Sequence, residues 1–293
     1  MNEVVEPSVA EQRATLFEIP ASRWSETDAR GKSPSELLLY RSNLLGGDLT
    51  VTNFGGGNTS AKLGEIDPLS GAPCQVLWVK GSGGDLGSMK LDGFATLDLE
   101  LLLGLESRYR GREHEDEMVD LLRHCTFNLN PRAASIDTPL HAYLPFTHVD
   151  HLHPDSVTAL AASSVGEKLT AEIYGHKVGW LPWQRPGFDL GLKLRDYVAS
   201  RPNLRGVVMA GHGLISWGET SKACYDNAID LIATAARHLN QKLSRGVAFG
   251  GAIVTAKPVA ERARIAAELM PRLRAMMSTE RPKVGHFSDD RAS

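Results

Sequence analysis

The chain has 293 residues, 42% of them hydrophobic, with 32 Lys and Arg against 35 Asp and Glu for a formal net charge of −3. Its cations are spread along the chain, which argues against nucleic acid or an anionic membrane as partner and favours small-molecule chemistry. Cys74, Cys125 and Cys224 fit neither a metal nor a CxxC spacing, no apolar run nears the ~20 residues of a membrane span, and the first twenty residues lack a signal-peptide core; a cytoplasmic protein with its cysteines buried as packing residues is expected.

In chain order, residues 1–32 carry scattered charge with little periodicity and read as a loosely ordered arm. Order is expected from Ser33, where "SPSELLLYRSNLLGG" opens a helix with a Ser33/Glu36 capping box and Pro34 in the first turn, stopped by Gly46 and Gly47. "DLTVTNFGGGNTSAKL" reads as two short strands around a glycine turn, and "CQVLWVKGSGGDLGSM" as a strand ending in a second glycine loop. "FATLDLELLLGLESRYRG" and "EDEMVDLLRHCTFN" have helical apolar spacing; "HVDHLH" reads as a strand that hands over at Pro154 to the helix "DSVTALAAS". "GVVMAGHGLISWG" suggests two strands around a Gly-His-Gly turn, a long helix is expected over residues 220–243 with Gly246 beyond its end, and the tail "KPVAERARIAAELMPRLRAMM" reads as helical with a kink at Pro271. Alternating strands and helices without a linker imply one α/β domain over residues 33–250 and a C-terminal helical extension over 251–293.

The chemistry concentrates in the histidines. On a strand, His151 and His153 would share one face while Leu152 points into the core, and His148 would face the other way. Such a pair is a chelate, although taken alone it is read first as a helix cap or a surface pair. His212, flanked by glycines directly after an apolar strand, is an awkward core residue and a natural third ligand. Three imidazoles with an open position is a catalytic zinc arrangement. Asp137 in "PRAASIDTPLHAYLP" is the candidate for proton transfer, with an ordinary helix N-cap as its alternative; His141, one turn on, is read as a helix-face residue rather than a partner of the site.

Five motifs in order, "GGGNTSAKL", "VKGSGGDLG", "SIDTPLHAYLP", "HVDHLHPDSVTALA" and "MAGHGLISWG", resemble the class II aldolase/adducin family over roughly residues 33–245, and most of all the aldolase part of bacterial bifunctional rhamnulose-1-phosphate aldolase/alcohol dehydrogenases. The resemblance implies a three-layer α/β/α sandwich with a central mixed sheet, one Zn2+ on His151, His153 and His212, and Asp137 as catalytic base where the family usually has glutamate. It places substrate phosphate on Asn58 and Thr59 of the first glycine loop, on Ser82 and Gly83 of the second, and on Ser135. Two glycine turns with converging amides form an anion nest without a P-loop lysine, and neither loop matches a nucleotide fingerprint. Lys80, just before the second loop, reads either as an added charge on that phosphate or as a solvated surface lysine. The implied reaction is cleavage of a ketose 1-phosphate, rhamnulose 1-phosphate first, to dihydroxyacetone phosphate and lactaldehyde through an enediolate. A 4-epimerase, a dehydratase and a non-catalytic adducin-like scaffold are the alternatives. A homo-oligomer, a tetramer by the same likeness, is expected. "AFGGAIV" is too short for the dinucleotide fingerprint of a dehydrogenase.

Overall fold

The computed structural model describes residues 16–128, 132–243 and 257–287. The first fifteen residues, Gly246 and the "AFGGAIV" stretch, for each of which the sequence carries an expectation, lie outside the described residues. The chain divides into two units, Met1–Arg245 and Gly246–Ser293.

The first unit runs α1 (Glu26–Ala29), α2 (Pro34–Gly46), β1 (Asn58–Ile66), β2 (Pro73–Lys80), β3 (Phe94–Asp98), α3 (Leu99–Gly104), α4 (Glu115–Leu122), α5 (Thr138–Ala142), β4 (His148–Leu152), α6 (Asp155–Ala161), α7 (Gly166–Tyr174), β5 (Val178–Leu181), α8 (Phe188–Ala199), β6 (Gly206–Met209), β7 (Gly213–Gly218) and α9 (Ser221–Leu243). The seven strands form one mixed sheet in the order β3-β2-β1-β4-β7-β6-β5, antiparallel throughout except for the β5–β6 pair. Period-two alternation sorts the core into two layers. Leu152, Val208 and Leu214 pack with α2, α6, α7 and α9 on one face, whereas Val149, Val207 and Ile215 pack with α5 and α8 on the other. This is the expected three-layer α/β/α sandwich.

Local chemistry explains the agreements and the corrections. The capping box forms as expected, with the Glu36 amide donating to Ser33 Oγ at 3.3 Å and the Ser33 amide to Glu36 Oε2 at 2.7 Å. The "DLTVT" strand does not form. Asp48 instead accepts from the Thr50 amide (3.0 Å) and hydroxyl (2.6 Å), and its carbonyl accepts from Val51 and Thr52, so the segment closes into turns. "FATLD" is the edge strand β3 rather than the start of a helix; Asp98 then caps α3 by accepting from the Leu101 amide at 2.9 Å. The described part of the expected arm is tied down: Phe17 and Asn240 exchange two hydrogen bonds, the Arg23 amide donates to Tyr225 at 2.9 Å, and the Trp24 ring lies 5.1 Å from Tyr40. Cys125 and Cys224 are buried, Cys74 only partly. In the second unit α10 (Val259–Met277) stays helical through Pro271.

Candidate metal centre

β4 places His151 on the α5 face of the sheet, paired in register with Asn58 of β1 and Ile215 of β7. His153 follows just past the strand, and His212 sits in the tight β6–β7 connection. His151 Nε2 lies 2.9 Å from His153 Nε2 and 3.0 Å from His212 Nε2, and the three ligand atoms fall within 4.8 Å of one another. His148 turns to the opposite face, as its spacing implies, and bonds Arg41 at 2.9 Å.

The His151 tautomer is set from behind. Leu214 O can only accept, so His151 Nδ1 carries the proton that bridges the 3.0 Å between them, and Nε2 presents its lone pair to the centre. Burial lowers the pKa of all three rings, and the facing imidazoles lower His151 and His153 further. They are therefore held neutral, the form that ligates. Three converging lone pairs at this separation repel unless a cation lies among them, so the residues fit a divalent ion.

Glycines make the convergence possible. A Cβ on Gly213 would stand 2.6 Å from Leu152 O and 2.8 Å from His153 Cδ2. Gly57, at φ +72°, likewise lets the first glycine loop run against the ligand strand, where a Cβ would stand 2.6 Å from His151 O. Thr52 accepts from the His153 amide at 3.2 Å and anchors the ligand strand's exit.

Asp137 occupies the N-cap position of α5, yet its side chain makes no capping bond. Asp137 Oδ2 accepts from Asn58 Nδ2 at 3.4 Å, while Oδ1 is buried without a partner among the described residues. Asn58 pairs across the strands with His151, so its bond to Asp137 brings the carboxylate to the imidazole side of the sheet, and the negative charge opposes the lowering of the His153 and His212 pKa values. Asn58 Nδ2 also donates to Ser135 Oγ at 3.2 Å. His141 is not the helix-face residue the sequence suggested. It is fully buried, with Nδ1 2.7 Å from Ser60 Oγ and Nε2 3.2 Å from Asn58 Oδ1. Because Asn58 Oδ1 can only accept, His141 carries its proton on Nε2 and accepts from Ser60 at Nδ1. Burial lowers its pKa to about 3, so the ring stays neutral and fixes the amide orientation of Asn58.

The other expected phosphate contacts divide. Asn58 and Ser135 stand beside Asp137, and the second loop carries Gly83 and Gly84 at φ +70° and +77° with open space at both. The Ser82 amide is already committed to Ala133 O at 2.9 Å, leaving its hydroxyl. Thr59 needs correction: it alternates to the other sheet face, where its buried hydroxyl bonds Ser42 at 2.6 Å, so it offers no hydroxyl to a ligand beside the histidines. Lys80 is not a solvated surface residue, being only 5% exposed.

Sequence reading missed a network beneath the ligand strand. The fully buried Arg41 donates to Asp150 Oδ1 (3.0 Å), Ser221 Oγ (3.1 Å) and Ser60 O (2.7 Å), while Cys224 donates to Asp150 Oδ2 at 3.1 Å. Burial pushes the Asp150 pKa up against the pull of Arg41. The one local signal was the charge of Asp150 inside an otherwise buried strand.

Comparisons with known proteins agree with this geometry. The Class II Aldolase and Adducin N-terminal domain model matches residues 37–239. The Bacillus subtilis (strain 168) protein named Uncharacterized oxidoreductase YuxG is 40% identical over 265 residues, 90% of this chain; the chain spans only 38% of that relative's length. The N-terminal class II aldolase domain of a conserved Thermoplasma acidophilum protein superposes with a TM-score of 0.68 at 31% identity, covering 75% of this chain and 99% of that one. A Thermotoga maritima sugar-phosphate aldolase shares the fold, with a TM-score of 0.52 at 14% identity over 74% of this chain and 98% of that one. The matched span holds both glycine loops, Asp137 and all three converging histidines, and the chain belongs to the class II aldolase and adducin family.

Proposed function

We propose that the chain is a zinc-dependent aldolase that cleaves a ketose 1-phosphate, with rhamnulose 1-phosphate the first candidate, to dihydroxyacetone phosphate and an aldehyde, lactaldehyde in that case. The observation that carries this reading is the meeting of three neutral imidazoles with a carboxylate whose second oxygen is buried and unpartnered. His151, His153 and His212 would hold the ion. When bound, zinc supplies a Lewis acid that draws electron density from the substrate carbonyl and the neighbouring hydroxyl.

The chain's own residues do the rest. Asp137 Oδ1, free of partners, exchanges a proton with the carbon that becomes C3 of dihydroxyacetone phosphate; Asn58 holds Oδ2 and so aims the other oxygen. Asn58, Ser135, the Ser82 hydroxyl and the Gly83 backbone anchor the phosphate. On cleavage the C4 hydroxyl gives its proton to a tyrosine or a second acidic residue, drawn from a neighbouring subunit of a homotetramer, as the C3–C4 bond breaks and the aldehyde forms; the same group returns that proton to the aldehyde oxygen in the reverse addition. The oxidoreductase name belongs to a relative of which this chain spans the minor part, and no such activity is assigned here.

A panel of ketose 1-phosphates assayed for triose phosphate release, with and without a chelator, tests the reading. Release of an epimer or of water in place of an aldehyde would redirect it to an epimerase or dehydratase. A well-folded preparation that ignores added zinc points to the scaffold. Cleavage that persists in full after metal removal refutes it.

A further inference from the structure

Three residues alternate onto the face that β1 turns toward α5, and all three are polar: Asn58, Ser60 and Lys62. Asn58 bonds Asp137 and His141, Ser60 Oγ stands 2.7 Å from His141 Nδ1, and Lys62 Nζ donates to Leu144 O, just beyond the helix. The short helix needs such outside support. It has only five residues, too few to be stable alone, and Asp137 at its N-cap makes no capping bond. α8 presses on it, since a Cβ on Gly191 would stand 2.7 Å from Pro139 Cβ. Apolar packing is non-directional and leaves the helix free to slide, whereas hydrogen bonds to β1 fix where along the strand it sits.

Ser60 reaches the base through two intermediates. Its one hydroxyl hydrogen has two acceptors in range, His141 Nδ1 at 2.7 Å and Val149 O at 3.4 Å, and goes to the nearer. The His141 proton therefore stays on Nε2, where it meets Asn58 Oδ1 and leaves the Asn58 amino group to donate to Asp137 Oδ2. With the proton on Nδ1 instead, Asn58 would have to offer its amino group to His141 and set its own oxygen against the carboxylate. Lys62 acts at the other end of the helix. It is half-buried, and burial lowers its pKa to about 8 with no carboxylate among the described residues to raise it, so the Leu144 carbonyl is what compensates the ammonium. Its charge also helps, after burial itself, to keep the His141 ring neutral.

We propose that Ser60 and Lys62 are positioning residues for the base: Ser60 selects the His141 tautomer that turns the Asn58 amino group to Asp137, and Lys62 ties down the C-terminal end of α5, so that the free Asp137 oxygen stays aimed at the reacting carbon. This rests on the proton transfer proposed for Asp137 and deepens it.

Turnover, zinc binding and histidine 15N spectra of the full chain test the assignment. Ser60→Ala and Lys62→Met should each lower kcat by about 10–100-fold, more than they raise KM, with zinc stoichiometry unchanged. Lys62→Arg should retain more turnover than Lys62→Met. In an Asp137→Asn background the same two substitutions should change kcat by no more than about twofold, because their effect passes through the carboxylate. The His141 signals, identified by their absence in His141→Gln, should show the proton on Nε2 in the wild type and lose that preference in Ser60→Ala. If Lys62→Met does not fold, by its melting curve, Ser60→Ala decides. Unchanged kcat in Ser60→Ala or in folded Lys62→Met overturns the role of that residue; losses that add in full to that of Asp137→Asn, or that track a loss of zinc, overturn both. If no ketose 1-phosphate is cleaved, the aldolase reading falls and the spectra decide: a tautomer that changes in Ser60→Ala keeps Ser60 as the orienting group, and one that does not change removes it.

Discussion

Replacing His141 by leucine separates two contributions of one buried ring. At about pH 7.5 the substitution removes the partner of Asn58 Oδ1 and the shorter bond of Ser60 Oγ, which keeps Val149 O at 3.4 Å, on residues 4% and 1% exposed. The orphaned Asn58 oxygen costs about 1–3 kcal/mol and the bond lost by Ser60 about 1 kcal/mol, so the variant should be less stable by about 2–4 kcal/mol. Acid reverses part of that deficit. His141 has its pKa lowered from 6.5 to about 3 in the folded chain, so below 6.5 the unfolded state binds a proton that the native state refuses. Wild-type stability from this site is complete above the unfolded pKa and falls as pH drops through the window from 6.5 towards 3. At about pH 4.5, two pH units of that linkage amount to about 2.7 kcal/mol, lost by the wild type and not by the leucine variant. His148 has a similarly lowered pKa, again chiefly through burial and then through Arg41, but it titrates in both proteins and cancels. Denaturant unfolding of chelator-treated protein at the two pH values measures the difference. A deficit that is the same at both, or below about 1 kcal/mol at neutral pH, refutes the assignment of His141 as a neutral, doubly bonded core residue.

Asp137→Asn is expected to lower kcat by about 10²–10⁴ with zinc stoichiometry unchanged by metal analysis; retained turnover would remove Asp137 from proton transfer. Gly213→Ala drives a methyl to within 2.8 Å of the His153 ring and 2.6 Å of Leu152 O, and should weaken zinc binding about 10–100-fold in a competition assay with a chelating dye. Unchanged affinity would show that the hairpin yields without moving a ligand. Arg41→Leu leaves Asp150 uncompensated in the core and should cost about 3–5 kcal/mol of unfolding free energy, whereas Asp226→Ala, which breaks the exposed ion pair with Lys222 and a 3.5 Å bond from Ser22 Oγ, should cost under about 1 kcal/mol. Equal losses would mean that the buried network contributes no more than surface charge.

What was legible in the sequence was local. The Ser33 capping box, the i, i+2 placement of His151 and His153, and the Gly-His-Gly turn depend on spacings of a few residues, and the structure brings the two His segments together at 3.0 Å. Local patterns also misled. "FATLD" carries apolar spacing that a helix shares, and only its pairing with β2 makes it a strand; "DLTVT" has β-prone residues, but the Asp48 side chain wins its amides for a turn.

Sequence alone determined the chemical types available and the order in which they occur along the chain: three imidazoles, one well-placed carboxylate and two glycine loops. Tertiary structure decided which of them face one another. The β1–β4 register sets Asn58 opposite His151 and sends its neighbour Thr59 to the other layer, where Ser42 claims it. Packing of α5 under β1 turned His141 into a support for Asn58. These partners are separated by up to 93 residues, and a one-residue slip in strand pairing would exchange those that face one another across β1 and β4, so no short-range period could have encoded the arrangement.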